Sequence, residues 1–371
     1  MSAPALDAAA STDDLEFMEG SEAIARAMIA AGCRFFAGYP MTPFTEVLEG
    51  MAKHLPEVGG TCINAESELE AVGMAWGAAA TGMPAATGST GQGLSLMQES
   101  LAEITYARLP LVVLNMARAQ GDYFQATRGG GHGDYRHIVL APKDVTEAVE
   151  LVQEAFYLAS LWRNPVLVMG DYYIAHTWQS VSVKPIDFGP EPDRSWALDG
   201  STGGTGRAKL ISPLADTKRE DDVGYDLAEF YGRRGTELDH MVNQVEPRAE
   251  SGFLEDARLV VVAYGTVAQY VREAVAALRA EGERVGFIRP ITLYPFPTDV
   301  IRAAAADAEC FAVYENNRGQ MVEDVRLAVL ERAEVRFIGG LSVDSSGFGI
   351  APDLDVAAVR ARIKSTLEEI S

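Results

Sequence analysis

Cys33-Arg34-Phe35-Phe36-Ala37-Gly38-Tyr39-Pro40-Met41-Thr42-Pro43 reads as a strand that runs into a turn and then into a helix. The preceding helical stretch, Ser21 to Ala31, stops at Gly32, and the run Cys33 to Ala37 has the character of a buried strand. Thr42 followed by Pro43 is expected to be an N-cap with proline at the first helical position, where no backbone donor is needed and the ring already sets a helical φ. That leaves the Thr42 hydroxyl at the open end of a strand, as a cap alone or as a polar anchor for a substrate.

The same alternation continues outward. Helix 43–54 is followed by a strand near 60–64, helix 66–81, a short strand at 84–88, helix 92–107 and the strongly apolar strand Leu109 to Met116. After a loop at 119–142 come helix 143–161 and the strand Pro165 to Met169. Strands alternating with helices that cover both faces predict an α/β fold with a doubly wound parallel sheet. A second α/β pattern opens at Arg258 with Leu259-Val260-Val261-Val262-Ala263, followed by a helix to Glu281 and strands at 284–288, 310–315 and 335–339.

A chain of 371 residues, 48% of them hydrophobic, is long enough for two cores. The expected division is a disordered tail at 1–15, a first domain at 16–185, a connector with a helical arm at 186–257 and a C-terminal α/β domain at 258–371. Pro, Gly, Ser and Thr collect in Gly189-Pro190-Glu191-Pro192 and Gly200-Ser201-Thr202-Gly203-Gly204. The charged segment from about Lys218 to Glu250 has few apolar residues and reads as an exposed helical arm.

A formal charge of -22, from 31 basic and 53 acidic residues, opposes nonspecific attraction to nucleic acid or anionic lipid. The start lacks a basic, apolar leader, and no stretch has the length of a membrane span, so a soluble, cytoplasmic protein is expected. Cys33, Cys62 and Cys310 stand far apart with no CxxC spacing. Three such residues cannot supply four thiolates, so any iron-sulfur cluster must sit on another subunit.

Glu68, in Asn64-Ala65-Glu66-Ser67-Glu68, falls at the start of a helix on the carboxyl edge of the sheet, where such folds place ligand crevices. A carboxyl group shielded there can hold or share a proton, although Glu66, Glu68 and Glu70 could each be an ordinary first-turn acid. Gly88-Ser89-Thr90-Gly91-Gln92-Gly93 is a small-residue turn, either a cofactor contact or a tight turn without one; it matches neither the phosphate-loop nor the dinucleotide fingerprint. Arg118 should emerge at the same edge, where a guanidinium can clamp a carboxylate or simply lie in a loop. His132, Asp134 and His137 are of metal-ligating type but lack tight spacing, and a histidine bonded to backbone is favoured.

The chain resembles the α subunit of 2-oxoacid:ferredoxin oxidoreductases, within them the subunits acting on branched-chain 2-oxoacids or 2-oxoglutarate. The likeness runs from residue 16 to about 340 and rests on Phe36 to Pro43, Ala65-Glu66-Ser67-Glu68, Asp122 to Arg136, Arg289 to Pro297 and Gly319 to Arg326. It implies a thiamine-diphosphate-binding-type pyrimidine domain followed by a transketolase-C-like domain. A β subunit would bind the diphosphate, Mg2+ and an iron-sulfur cluster, the two chains meeting at the active site as αβ or α2β2. Carried over, Glu68 matches the glutamate that hydrogen-bonds the aminopyrimidine N1′, Thr42 the threonine that meets the substrate, and Arg118 the arginine that neutralises its carboxylate. Tyr39, Pro40, Gly91 and Gln92 are the further expected cofactor contacts. The implied reaction is oxidative decarboxylation of a 2-oxoacid to acyl-coenzyme A with reduction of ferredoxin. Relatives carry a longer segment after the arginine, whereas Arg118-Ala119-Gln120-Gly121 runs almost directly into Asp122. That shortening leaves open a carboligase or acyl transferase on the same subunits; a noncatalytic assembly subunit would have no need of Thr42, Glu68 and Arg118 together.

Overall fold

The computed structural model describes residues 14–198, 227–340 and 354–370. Residues 1–13 of the tail expected at 1–15, the stretch Gly200 to Gly204 and the part of the expected arm before residue 227 lie outside the described residues.

Every strand from the first α/β pattern appears, within a few residues of its predicted bounds. The seven-stranded sheet runs, edge to edge, Thr292–Tyr294, Ile138–Leu140, Pro165–Asp171, Leu111–Ala117, Ala85–Ser89, Phe35–Gly38 and Thr61–Asn64. The inner pairings are parallel, in registers such as Gly38 with Gly88 and Asn115 with Met169. Their carboxyl ends therefore share one edge. Along Leu111–Ala117, Leu111 and Val113 enter one core layer while Val112, Leu114 and Met116 enter the other. The helices Glu68–Ala80 and Gly91–Tyr106 contribute to the first layer, and Gly20–Ala30, Thr45–His54 and Val145–Trp162 to the second. This is the doubly wound arrangement, with both faces buried.

The second sheet, in the order Glu334–Phe337, Cys310–Val313, Leu259–Val262, Val285–Pro290 and Ala249–Gly252, is parallel except for its last strand. Ala249–Gly252 lies within the stretch read as connector. The two sheets are interlocked, because Thr292–Tyr294, directly after a strand of the second sheet, pairs antiparallel with Ile138–Leu140 of the first.

Two local expectations are corrected. The helix after Thr42 begins at Thr45, with Phe44 in the N-cap position and no side-chain cap, so Thr42 does not cap it. The Thr42-Pro43 peptide is cis, and the Phe44 amide donates to Met41 O at 2.7 Å, so the chain completes a turn before the helix starts. The buried Phe44 ring fixes this turn by filling the space above the Gly38 and Gly88 pair; a Cβ at Gly88 would come within 2.5 Å of it. The helix Leu227–Gln244 is also no free arm. Leu238, Met241 and Val245 join the second core layer, and buried Arg234 donates to Thr105 O and Asn164 Oδ1, both at 3.0 Å.

An ion cluster ties the domains together. Arg289 meets Glu147 through two bonds of 2.8 and 2.9 Å and Glu250 at 2.8 Å, while Lys143 reaches Glu250 at 3.2 Å. Burial alone would raise the Glu250 carboxyl, but Arg289 and Lys143 outweigh it and hold the group down to about 2. A carboxylate depressed in the folded state stabilises the fold above its ordinary value near 4.5, and the contribution is lost as pH falls toward 2. Thermal unfolding followed from pH 6 to pH 2 is expected to show a fall in melting temperature across that window that is shallower in Glu250→Gln; parallel curves would remove Glu250 from the acid transition.

Candidate active site

The parallel strands deliver the expected residues to one edge. Phe35–Gly38 leads to Tyr39, Pro40 and Thr42, Thr61–Asn64 to Glu68, Ala85–Ser89 to Gly91 and Gln92, and Leu111–Ala117 to Arg118.

Burial separates the three candidate glutamates. Glu66 and Glu70 are exposed, and Glu70 accepts a hydrogen bond from Ser67. Glu68, the first residue of its helix, is 2% exposed. A buried carboxylate needs partners. Ser89 Oγ supplies one, donating to Glu68 Oε1 at 2.8 Å from the end of the strand Ala85–Ser89. A carboxylate has about four acceptor positions, so this bond leaves capacity for a ligand. Close approach of the next helix makes the arrangement possible: a Cβ at Gly93 would stand 2.0 Å from Ser89 Oγ and 2.3 Å from Glu68 Oε1. Gly93→Ala must therefore displace one of these groups. A destabilisation of about 1–3 kcal/mol is expected, measured by thermal unfolding; a wild-type melting temperature would show that the Glu68 seat is not rigid.

Arg118 and Thr42 meet directly, since Arg118 Nε donates to Thr42 O at 3.0 Å. Arg118 also lines a cavity of about 320 Å³ with Gly91, Gln92, Ser95, Asp122 and Gln125. Glu68, Thr42, Tyr39 and Pro40 are not in that lining; Tyr39 is half-buried and Pro40 exposed. The structure thus gathers Arg118, Gly91 and Gln92 around one cavity, holds Thr42 against the arginine and seats Glu68 behind the Ser89 end of the adjoining turn.

Three polar residues at this edge were not singled out from the sequence. Asp122 accepts from Asn115 Nδ2 at 3.0 Å and packs against Gly91, where a Cβ would come within 2.5 Å of its Oδ1. Burial raises the Asp122 carboxyl, opposed by the Asn115 bond and the Arg118 charge. Asn115 Oδ1 is buried without a hydrogen-bond partner. A polar Asn inside the apolar run Leu111–Ala117 was the signal available. Gln120, buried, is bonded across to the second domain.

The histidines of the stretch His132 to His137 engage other partners. His137 is buried with its Nε2 at 3.1 Å from Thr105 Oγ1, and burial lowers it to about 4, whereas the backbone of His132 donates to Glu99. Among the described residues no group of three or more His, Cys, Asp or Glu side chains is placed to hold a metal ion. Cys33 and Cys62 belong to the first domain and Cys310 to the second, all free thiols, raised by burial to about 12, 11 and 11. No helix among the described residues is long and apolar enough to cross a membrane.

Comparison with known proteins places this architecture among thiamine-diphosphate-binding folds. Residues 26–195 match the family described as pyruvate flavodoxin/ferredoxin oxidoreductase, thiamine diP-bdg, and residues 257–346 match the pyruvate:ferredoxin oxidoreductase core domain II. The chain is 38% identical over 323 residues to ketoisovalerate oxidoreductase subunit VorB of Methanothermobacter thermautotrophicus, covering 84% of this chain and 89% of that one. It is 34% identical over 354 residues to 2-oxoglutarate synthase subunit KorA of the same organism, covering 87% and 93%. A solved structure of 2-oxoglutarate:ferredoxin oxidoreductase from Magnetococcus marinus, with 2-oxoglutarate, coenzyme A and succinyl-CoA bound, superposes with a TM-score of 0.82 at 28% identity. The match covers 96% of this chain and 66% of that one. A split-gene transketolase, at 16% identity and a TM-score of 0.58, shares the fold. The chain belongs to the 2-oxoacid:ferredoxin oxidoreductase family.

Proposed function

We propose that this chain is the α subunit of a thiamine-diphosphate-dependent 2-oxoacid:ferredoxin oxidoreductase, supplying the pyrimidine-binding half of a site completed by a β subunit. The observation that carries the proposal is the Glu68 carboxylate, buried at the carboxyl edge, held by Ser89 and followed at the same edge by a cavity with Arg118 in its wall. These residues fit the pyrimidine end of the cofactor: a buried carboxylate with spare acceptor capacity suits a ring nitrogen. Mg2+ and the iron-sulfur cluster would be held by the partner, because the three cysteines of this chain cannot supply the four thiolates of a cluster.

Thiamine diphosphate, when bound, supplies the electron sink for decarboxylation of a 2-oxoacid. Glu68 would hold the aminopyrimidine N1′ and share its proton, with Ser89 fixing the carboxylate in place. Tyr39, Pro40, Gly91 and Gln92 complete the proposed cofactor contacts. Arg118, tethered through Nε to Thr42 O, keeps donors for the substrate carboxylate, and Thr42 stands beside it as the polar contact to the reacting end. The relatives' names point to a branched-chain 2-oxoacid or 2-oxoglutarate as substrate, and the coenzyme A bound to the Magnetococcus marinus enzyme points to coenzyme A as acyl acceptor.

The test is ferredoxin reduction without air by this chain co-produced with its β partner, across a panel of 2-oxoacids, with and without coenzyme A and thiamine diphosphate. Reduction that needs every component is expected. Release of carbon dioxide with ligated product and no reduced ferredoxin would replace the oxidoreductase with a carboligase.

A further inference from the structure

The segment that follows Arg118 is gripped from the second domain. Gln120 exchanges backbone and side-chain bonds with Asn316: its amide donates to Asn316 O at 3.1 Å and its Oε1 accepts from Asn316 N at 2.8 Å, while its Nε2 donates to Tyr264 O at 3.0 Å. Gln320 spans Asp122, its Nε2 donating to Gly121 O and its Oε1 accepting from Phe124 N, both at 2.8 Å. Asp324 accepts from Tyr123 Oη at 2.6 Å and takes two bonds from Arg128, at 3.0 and 3.1 Å.

Gln320 and Asp324 are themselves anchored. Fully buried Glu315 accepts from the amides of Gln320, Met321 and Val322 at the start of the helix Met321–Val329. The grip therefore connects a rigid corner of the second domain to the wall of the cavity that carries Arg118, Gly121 and Asp122. Arg118 has its own tether to Thr42, so its position is set from both sides, by the first domain through Thr42 and by the second through the loop.

We propose that Gln320, with Asp324, is a positioning residue for the 2-oxoacid site: the second domain sets the stance of Arg118 and Asp122 without touching substrate. This rests on the function proposed above, in which Arg118 receives the substrate carboxylate. Both Gln320 bonds go to backbone groups, so their loss loosens the loop between the points held by Gln120 and Asp324 without removing any group from the cavity.

The test uses the full chain assembled with its β partner, and ketoisovalerate or 2-oxoglutarate, whichever the wild type turns over. Gln320→Ala and the shape-preserving Gln320→Met are compared for KM of the 2-oxoacid, half-saturation by thiamine diphosphate and melting temperature. Loss of both loop bonds is expected to raise KM about tenfold in both variants, with cofactor half-saturation unchanged, and Asp324→Asn is expected to raise KM in the same direction. Methionine restoring KM, or a lower melting temperature with KM unchanged, would reduce Gln320 to a packing residue and overturn the inference. A wild-type complex that turns over neither 2-oxoacid would overturn the functional reading and the inference with it, whereas an active wild type with unaffected variants overturns the inference alone.

Discussion

Glu68→Gln is expected to lower turnover by roughly two to four orders of magnitude, the usual contribution of a positioned acid-base group, while leaving the complex assembled. Glutamine has the shape of the carboxylate, and its amide oxygen can still accept from Ser89 Oγ, so the seat formed by Ser89 and Gly93 is preserved. It cannot exchange a proton with the cofactor as a carboxylate does. Steady-state turnover together with size-exclusion analysis of the αβ complex distinguishes the two effects. Near-normal turnover would take Glu68 out of the chemistry and leave its burial as a matter of packing.

Arg118→Met is expected to reduce kcat/KM for the 2-oxoacid by roughly 10²- to 10³-fold, because the substrate carboxylate would lose a charge-assisted, two-pronged partner. Arg118→Lys should recover only part of this loss. An ammonium is a point donor and cannot bond Thr42 O and grip a planar carboxylate in the same geometry. The thiamine diphosphate requirement should be unchanged in both variants, since Glu68 sits at the start of the helix Glu68–Ala80 and its Ser89 partner at the end of a different strand. An undiminished kcat/KM in Arg118→Met would assign the carboxylate to a different cation.

The strands and helices around this site were legible because hydrophobic periodicity is a local property. Phe35–Gly38, Leu111–Ala117 and the helices between them needed only the alternation of apolar runs and turns, and parallel pairing followed from the intervening helices. The edge position of Glu68 and Arg118 was legible for the same reason: each follows a strand. Their burial and partners were not. Which of Glu66, Glu68 and Glu70 turns inward depends on the packing of two helices against each other, and Ser89 and Gly93 contribute from a separate element.

The start of the helix after Thr42 was misread because a Thr-Pro pair satisfies the capping rules, while the deciding contact is Phe44 over two glycines on different strands. The helix Leu227–Gln244 was misread from its composition. Phe230, Arg234, Leu238, Met241 and Val245 recur at helical spacing, and this stripe was the usable signal. The short strand Thr292–Tyr294 that joins the two domains carries no period long enough to read, so the interlocking of the sheets emerged only in three dimensions.

The most direct measurement is hydrogen-deuterium exchange at C2 of thiamine diphosphate bound to the assembled complex, quenched in acid and read by proton NMR, for wild type and Glu68→Gln. Exchange slower by roughly two orders of magnitude in the variant, at equal cofactor occupancy, is the expected result. Equal exchange rates would contradict the placing of the Glu68 carboxylate at the cofactor's aminopyrimidine.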